Sequence, residues 1–339
     1  MKSIPTAFVV AATLAAALLG SAADSAAEPI VIKFSHVGAA DTPKGKAALK
    51  FKELAEQATG GRVKVEVYAN SALYKDKEEM EALQIGAVQM LAPSLSKFGP
   101  LGAREFEVFD LPYLFDGYGS LHKITNGAVG QFLFRKLEPK GIHGLAYWDN
   151  GFKVMSANKP LHLPADFKGL KMRVQSAKVL EAQMRALGAI PQQMAFSEVY
   201  QALQTGVVDG TENPPSNLYT QKMYEVQKHV TVSYHGYLGY AVVVNKKFWE
   251  SLPTDIRNEL EAAMAKATVY GNAIAEKEND NALEAVRTSG KSQIYVLTED
   301  ERRAWKKALI PVHREQQARF GQELLDMVYT DLNFDPAKL

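Results

Sequence analysis

The first chemical signal in the sequence is a single cation set inside an alternating stretch. In GLKMRVQS (169–176), Leu170, Met172 and Val174 alternate with Lys171, Arg173 and Gln175, the period-two pattern of a half-buried strand. Arg173 faces water, pairs with a structural carboxylate such as Asp209 or Glu212, or waits in a cleft for an anion. Polar side chains also collect where other strand-like runs end. His36 closes the first run, Lys44 lies in the first turn of the helix that follows, and Ser94 closes the third run. Trp148, Asn150 and Lys153 flank a possible crossing between domains, Phe196 precedes a helix, and Asn213 stands before a double proline. Strand ends are where open α/β sheets hold ligands. Cations, amides and an aromatic drawn from several segments suit a small carboxylic acid better than an apolar ligand or a sugar. Each residue also has a structural reading: surface lysines, a core phenylalanine, a turn cap at Asn213, a satisfied strand-end histidine at His36.

Catalytic constellations are harder to find. None of the histidines at 36, 122, 143, 162, 229, 235 and 313 makes a metal-ligand spacing. No nucleophile elbow, Walker loop or dinucleotide-binding glycine pattern is present. The acidic run KDKEEME (75–81) reads as a solvated helix face. The expectation is a binding protein with no cofactor and no metal, not an enzyme.

The elements that must position these residues follow a repeating order. IVIKFSH (30–36) is an apolar, β-branched strand. Thr42 then caps a helix with Pro43 at its first position, and Gly60 and Gly61 stop it. RVKVEVY is a second strand, KDKEEMEALQIGA a helix and VQMLAPS a third strand. Strand, helix, strand, helix, strand predicts βαβ units and a mostly parallel sheet. SLHKITNGAVGQFLFRKLEPKG reads as helical, and GYAVVVNKKFW (239–249) as a strongly apolar strand resembling those of the first domain. The helical pattern running from Pro253 to Gly290 exceeds a usual globular helix and is expected to brace two domains.

Length and composition bound the rest. A chain of 339 residues suggests two α/β domains. A formal net charge of +1 without a basic block argues against nucleic acid as a partner. Lys2, a short apolar run and the small-residue exit SAADSAAEP describe a secretory signal peptide (1–27) cleaved near Ala27. After processing the chain is expected not to be embedded in a membrane. It has no cysteine, hence no disulfide, cysteine zinc site or lipid-tethered cysteine. Export without a tether points to the periplasm.

Several motifs in order carry a family resemblance: IKFSHVGAADTPKGKAALKFKELAEQATGGRVKVEVYANSAL, FEVFDLPYLF, GLKMRVQS, AFSEVYQALQTGVVDGTENP and GYAVVVNKKFW. Over essentially the whole mature chain the sequence resembles the solute-binding proteins of tripartite ATP-independent periplasmic (TRAP) transporters, the DctP family. That resemblance implies a two-domain α/β binding-protein fold with mixed and parallel sheets, a strand-crossed hinge, a long bridging helix and closure around a carboxylate. It implies small and large membrane subunits as partners. It also implies that Arg173 forks a ligand carboxylate, that Phe196 lies against the ligand, and that Asn213 supports the carboxylate region. Lys153 stands where the sialic-acid branch has a second arginine, which favours the C4-dicarboxylate branch, as do His36 and Lys44. A succinate, malate or fumarate dianion needs a cation at each end, because an unpaired buried charge is costly. Lys44, Lys153 or His36 is expected to meet the second carboxylate. Domain I is expected over 28–150 and 239–278, and domain II over 151–238 and 279–339, with crossings near 151, 239 and 279.

Overall fold

A computed structural model describes residues 28–338; the expected signal peptide and its cleavage site lie outside them. The chain starts with β1 (Ile30–Ser35), α1 (Pro43–Ala58), β2 (Val63–Tyr68), α2 (Glu79–Gln84) and β3 (Met90–Leu91). Next come α3 (Tyr118–Thr125), α4 (Ala128–Arg135), β4 (Ile142–Phe152) and β5 (Val154–Ala157). Then follow β6 (Lys171–Val174), α5 (Lys178–Ala186), β7 (Ile190–Gln193), α6 (Val199–Gln204), β8 (Gly210–Asn213), α7 (Pro215–Thr220) and β9 (His229–Val232). The chain ends with β10 (Tyr237–Asn245), α8 (Lys246–Ser251), α9 (Thr254–Ser289), β11 (Gln293–Val296), α10 (Glu299–Leu309), α11 (Pro311–Phe320) and α12 (Gln322–Leu332).

Two sheets result. One runs β2-β1-β3-β10-β4 and the other β11-β9-β5-β8-β6-β7. In the first sheet β1 lies parallel to β2 and β3, whereas β10 runs antiparallel to β3 and β4. The sheets exchange chain at Lys153, between β4 and β5, and again over residues 233–236, between β9 and β10. The apolar run expected from 239 therefore begins two residues earlier, at Tyr237. It is buried along its whole length because helices cover both faces of its sheet.

Thr42 accepts a hydrogen bond from the Gly45 amide at 3.1 Å, and Pro43 opens α1 as the sequence pattern requires. The region expected to be helical at 120–141 holds two helices, α3 and α4, parted at Asn126–Gly127. Gly127 packs where a Cβ would sit 2.6 Å from the Lys123 carbonyl oxygen.

The long helix α9 has 36 residues, a length of about 54 Å at 1.5 Å per residue. Ile256, Leu260, Met264 and Ala267 of α9 join the core beneath β1 and α1. Val286, near its other end, joins the core formed by α6, α7 and β9 of the second sheet. The helix thus braces both domains. Its Thr268, Asn272 and Asn279 bond Trp148, Asp149 and Asn150 of the edge strand β4, and Gly271 lets it approach Ala47 closely. The end of the chain departs from the expected division. Val312, Phe320, Leu324, Leu325 and Val328 pack in the core of α3 and α4, against the first sheet. Residues 279–339 therefore do not all lie with the second sheet.

Candidate functional site

The polar strand ends of the two sheets face one another across a nearly closed cavity of about 20 Å³, room for about one water. The first sheet's side contributes Gly38, Lys44, Asp76, Ser94 and Tyr240; the second contributes Arg173, Gln175, Phe196, Asn213 and Asn217.

Lys44 arrives on the first turn of α1 and is 1% exposed. Its Nζ donates to the Ala92 carbonyl at 3.2 Å and lies 3.8 Å from the centre of the Tyr240 ring, a cation–π contact. Burial pulls its pKa down, while Glu79 and Asp76 pull it back up. The cation is thus held in place by a carbonyl and a ring, with N–H capacity left for an anion.

Arg173 sits in β6 and is 2% exposed. Its Nε and Nη2 donate to the Met194 carbonyl at 3.2 and 2.9 Å. Its guanidinium carbon lies 5.8 Å from the centre of the Phe196 ring. The structural partners considered from sequence are both engaged elsewhere. Asp209 accepts the Lys171 amide at 2.7 Å, and Glu212 binds Lys153 and His235 at 2.8 and 2.9 Å. The carboxylate nearest Arg173 is Asp76, with Oδ2 3.9 Å from Nη2. Asp76 also accepts the Phe196 amide at 2.6 Å and pairs with Lys97 at 2.9 Å. Burial alone would raise its pKa, but Lys97 and Arg173 hold it below the usual carboxylate range. Asp76 thereby ties a loop of the first domain to the β7–α6 turn of the second.

This overturns the reading of residues 75–81 as a solvated face. Lys75, Lys77, Glu78 and Glu81 are exposed, but Asp76 and Glu79 are buried, and the helix begins only at Glu79. The local charge pattern carries no sign that three cations from other segments converge beneath this run.

An amide network forms the remaining wall. The Asn150 amide nitrogen donates to Asn217 Oδ1 at 3.0 Å and to the Tyr240 hydroxyl at 2.7 Å. Its Oδ1 accepts from Ser216 at 2.7 Å, and Asn279 of α9 holds its backbone carbonyl at 2.7 Å. Ser94 donates to Gln175 Oε1 across the two domains.

Of the expected site residues, Lys44, Ser94, Arg173, Phe196 and Asn213 line the cavity. Asn150 lies behind the wall and orients Asn217 and Tyr240. His36 is fully buried behind Val37 and Gly38, and neither ring nitrogen has a hydrogen-bond partner among the described residues. Burial, with Lys44 nearby, lowers its pKa to about 3, so the ring is neutral and cannot answer a second carboxylate. Trp148 is core, packed 5.9 Å from Phe34 and bonded to Thr268 at 2.8 Å. Lys153 sits at the chain exchange, 1% exposed, 2.8 Å from Glu212 and 3.7 Å from Asp110. Asp110 belongs to the first domain and Glu212 to the second, so Lys153 bridges them at the hinge. Burial pushes Asp110 up to about 7. Glu212 falls to about 2, because Lys153 and His235 outweigh its own burial.

Sequence reasoning missed Gln175, Asn217, Tyr240 and Asp76. Gln175 was within reach: it stands two residues beyond Arg173 and so shares its face of the strand. Tyr240 and Asp76 gave no local signal, since their roles come from segments far away in sequence.

Residues 34–319 match the family described as bacterial extracellular solute-binding protein, family 7 (DctP). A C4-dicarboxylate-binding periplasmic protein DctP of Rhodobacter capsulatus is 68% identical over 302 residues, covering 89% of this chain and 91% of that protein. A TRAP periplasmic solute-binding protein from Shewanella oneidensis, solved with bound succinate, superposes with a TM-score of 0.87 at 43% identity, covering 90% of this chain and 99% of that one. Another from Pseudomonas aeruginosa PAO1, solved with bound L-malate, gives 0.83 at 46% identity, covering 85% and 100%. A match over most of the chain, together with two sheets closing on a cationic cavity, shows that this protein belongs to the DctP family of TRAP solute-binding proteins.

Proposed function

We propose that the chain captures a C4-dicarboxylate, such as succinate, malate or fumarate, between its two domains and delivers it to the membrane subunits of a TRAP transporter. The observation that carries this reading is the placement of two buried cations, Lys44 from the first domain and Arg173 from the second, on opposite sides of one small cavity. Arg173 takes one carboxylate with the edge of its guanidinium not spent on Met194. Lys44 takes the other, and Ser94, Gln175, Asn213 and Asn217 complete the hydrogen bonding. A ligand touching both domains favours the closed form by its contacts with each. Asn150 and Asn279 keep the amide wall in register with the bracing helix.

The protein works in the periplasm after its signal peptide is cleaved near Ala27. No helix among the described residues is long and apolar enough to cross a membrane, which agrees with a carrier that meets its membrane partners from outside. Calorimetric titration against succinate, malate, fumarate and galactonate tests the substrate class. Binding of the C4 acids ahead of galactonate is expected. Galactonate bound alone, or no C4 acid bound, would refute the assignment.

A further inference from the structure

Glu79 is a buried carboxyl that the binding scheme above does not use. It opens α2 and is 1% exposed, and neither of its oxygens has a hydrogen-bond partner among the described residues. It does not line the cavity, yet it interacts electrostatically with Asp76, Lys44 and Lys97 immediately behind it. An ionised carboxylate with no hydrogen bond is among the most expensive groups to bury, whereas the protonated acid carries no net charge to desolvate.

We infer that Glu79 is held as the neutral acid behind the cavity wall, and that its proton sets the ligand charge the site accepts. The charged groups facing it are Lys44 on α1, Asp76 on the preceding loop and Lys97 on the turn at 95–97; Arg173 on β6 faces Asp76 and Lys97 in turn, with Glu212 and Glu198 beside it. His36, at the end of β1, is neutral. Glu212 is paired with Lys153 and His235, and Glu198 with Lys75; with Glu79 neutral, Lys44, Lys97 and Arg173 are then left against Asp76, and a dianion completes the balance. With Glu79 ionised, the same wall would balance a monoanion. Burial drives the Glu79 pKa upward and Asp76 reinforces it, with Lys44 and Lys97 opposing. Glu79 acts here as a positioning residue for charge, without touching the ligand. This inference rests on the dicarboxylate reading for its consequence but not for the protonation itself.

Infrared difference spectroscopy of the wild type against Glu79→Gln at neutral pH tests it. A carboxylic-acid carbonyl band present in the wild type and missing from the variant is expected; its absence from the wild type overturns the inference. Succinate and butyrate affinities are then followed as pH is raised. The preference for succinate is expected to decline together with that band. A decline while the band persists would assign the effect to Lys44 and overturn the role given to Glu79. At neutral pH the Gln variant is expected to show no gain in succinate affinity. A gain of about tenfold or more would mean that the wild-type carboxyl is ionised. If the wild type binds no succinate, the substrate reading fails, while the band in the free protein still reports on Glu79.

Discussion

Replacing Lys44 with methionine separates the two ends of the ligand. Methionine has similar length and apolar character, so the fold keeps its packing around this position. The binding consequence differs. Lys44 Nζ is almost fully buried, fixed by the Ala92 carbonyl and the Tyr240 ring. Without it, the far carboxylate of succinate would be buried beside a thioether. Removing one partner from a buried charge pair costs about 3–5 kcal/mol, which is roughly two to three and a half decades in Kd. Butyrate, with a methyl group in place of that carboxylate, makes no demand on Lys44. Calorimetric titration of both acids into both proteins forms a cycle. The expected coupling is large, with succinate losing most of its affinity and butyrate losing little. Equal losses for the two acids would mean that Lys44 only shapes the fold, and unchanged succinate affinity would remove it from the site altogether.

Three further outcomes follow from named contacts. Arg173→Lys keeps the charge but loses the planar fork, so succinate binding should weaken by about 1.5–3 kcal/mol; calorimetry showing equal affinity would contradict the role of the guanidinium. Lys153→Met leaves Glu212 and Asp110 without their shared cation, so the melting temperature should drop, by about 3–5 kcal/mol of stability, while folded variant retains succinate binding; loss of binding at unchanged stability would instead make Lys153 the ligand's cation. His36 is buried neutral with a pKa near 3, below its unfolded value, so it favours folding above about pH 6.5 and this advantage is lost as pH falls towards 3. The stability of the wild type relative to His36→Leu should therefore decline on acidification through that window in urea titrations, and a constant difference would refute a buried neutral ring.

Much of the fold was legible because local rules agree with it. Thr42–Pro43 starts α1, β-branched alternation marks β1 and β2, and an uninterrupted helical pattern yields α9. The last helices were less readable, since nothing in the sequence of α12 says that its apolar face meets α3 and α4 rather than the second sheet. The site divides in the same way. Arg173 and Lys44 announced themselves as cations at a strand and at a helix start. Lys153 looked equivalent to Lys44, but a cation's role depends on which acids reach it, and Asp110 and Glu212 come from opposite domains. Asp76 and Glu79 were hidden because a run of charges looks solvated until distant lysines are folded against it.

The structure of the protein bound to succinate tests the central claim most directly. One carboxylate is expected on the free edge of the Arg173 guanidinium and the other within hydrogen-bond reach of Lys44 Nζ, with Asn213 and Asn217 alongside. A ligand carboxylate paired with Lys153 or His36, or succinate seated outside this cavity, would contradict the account.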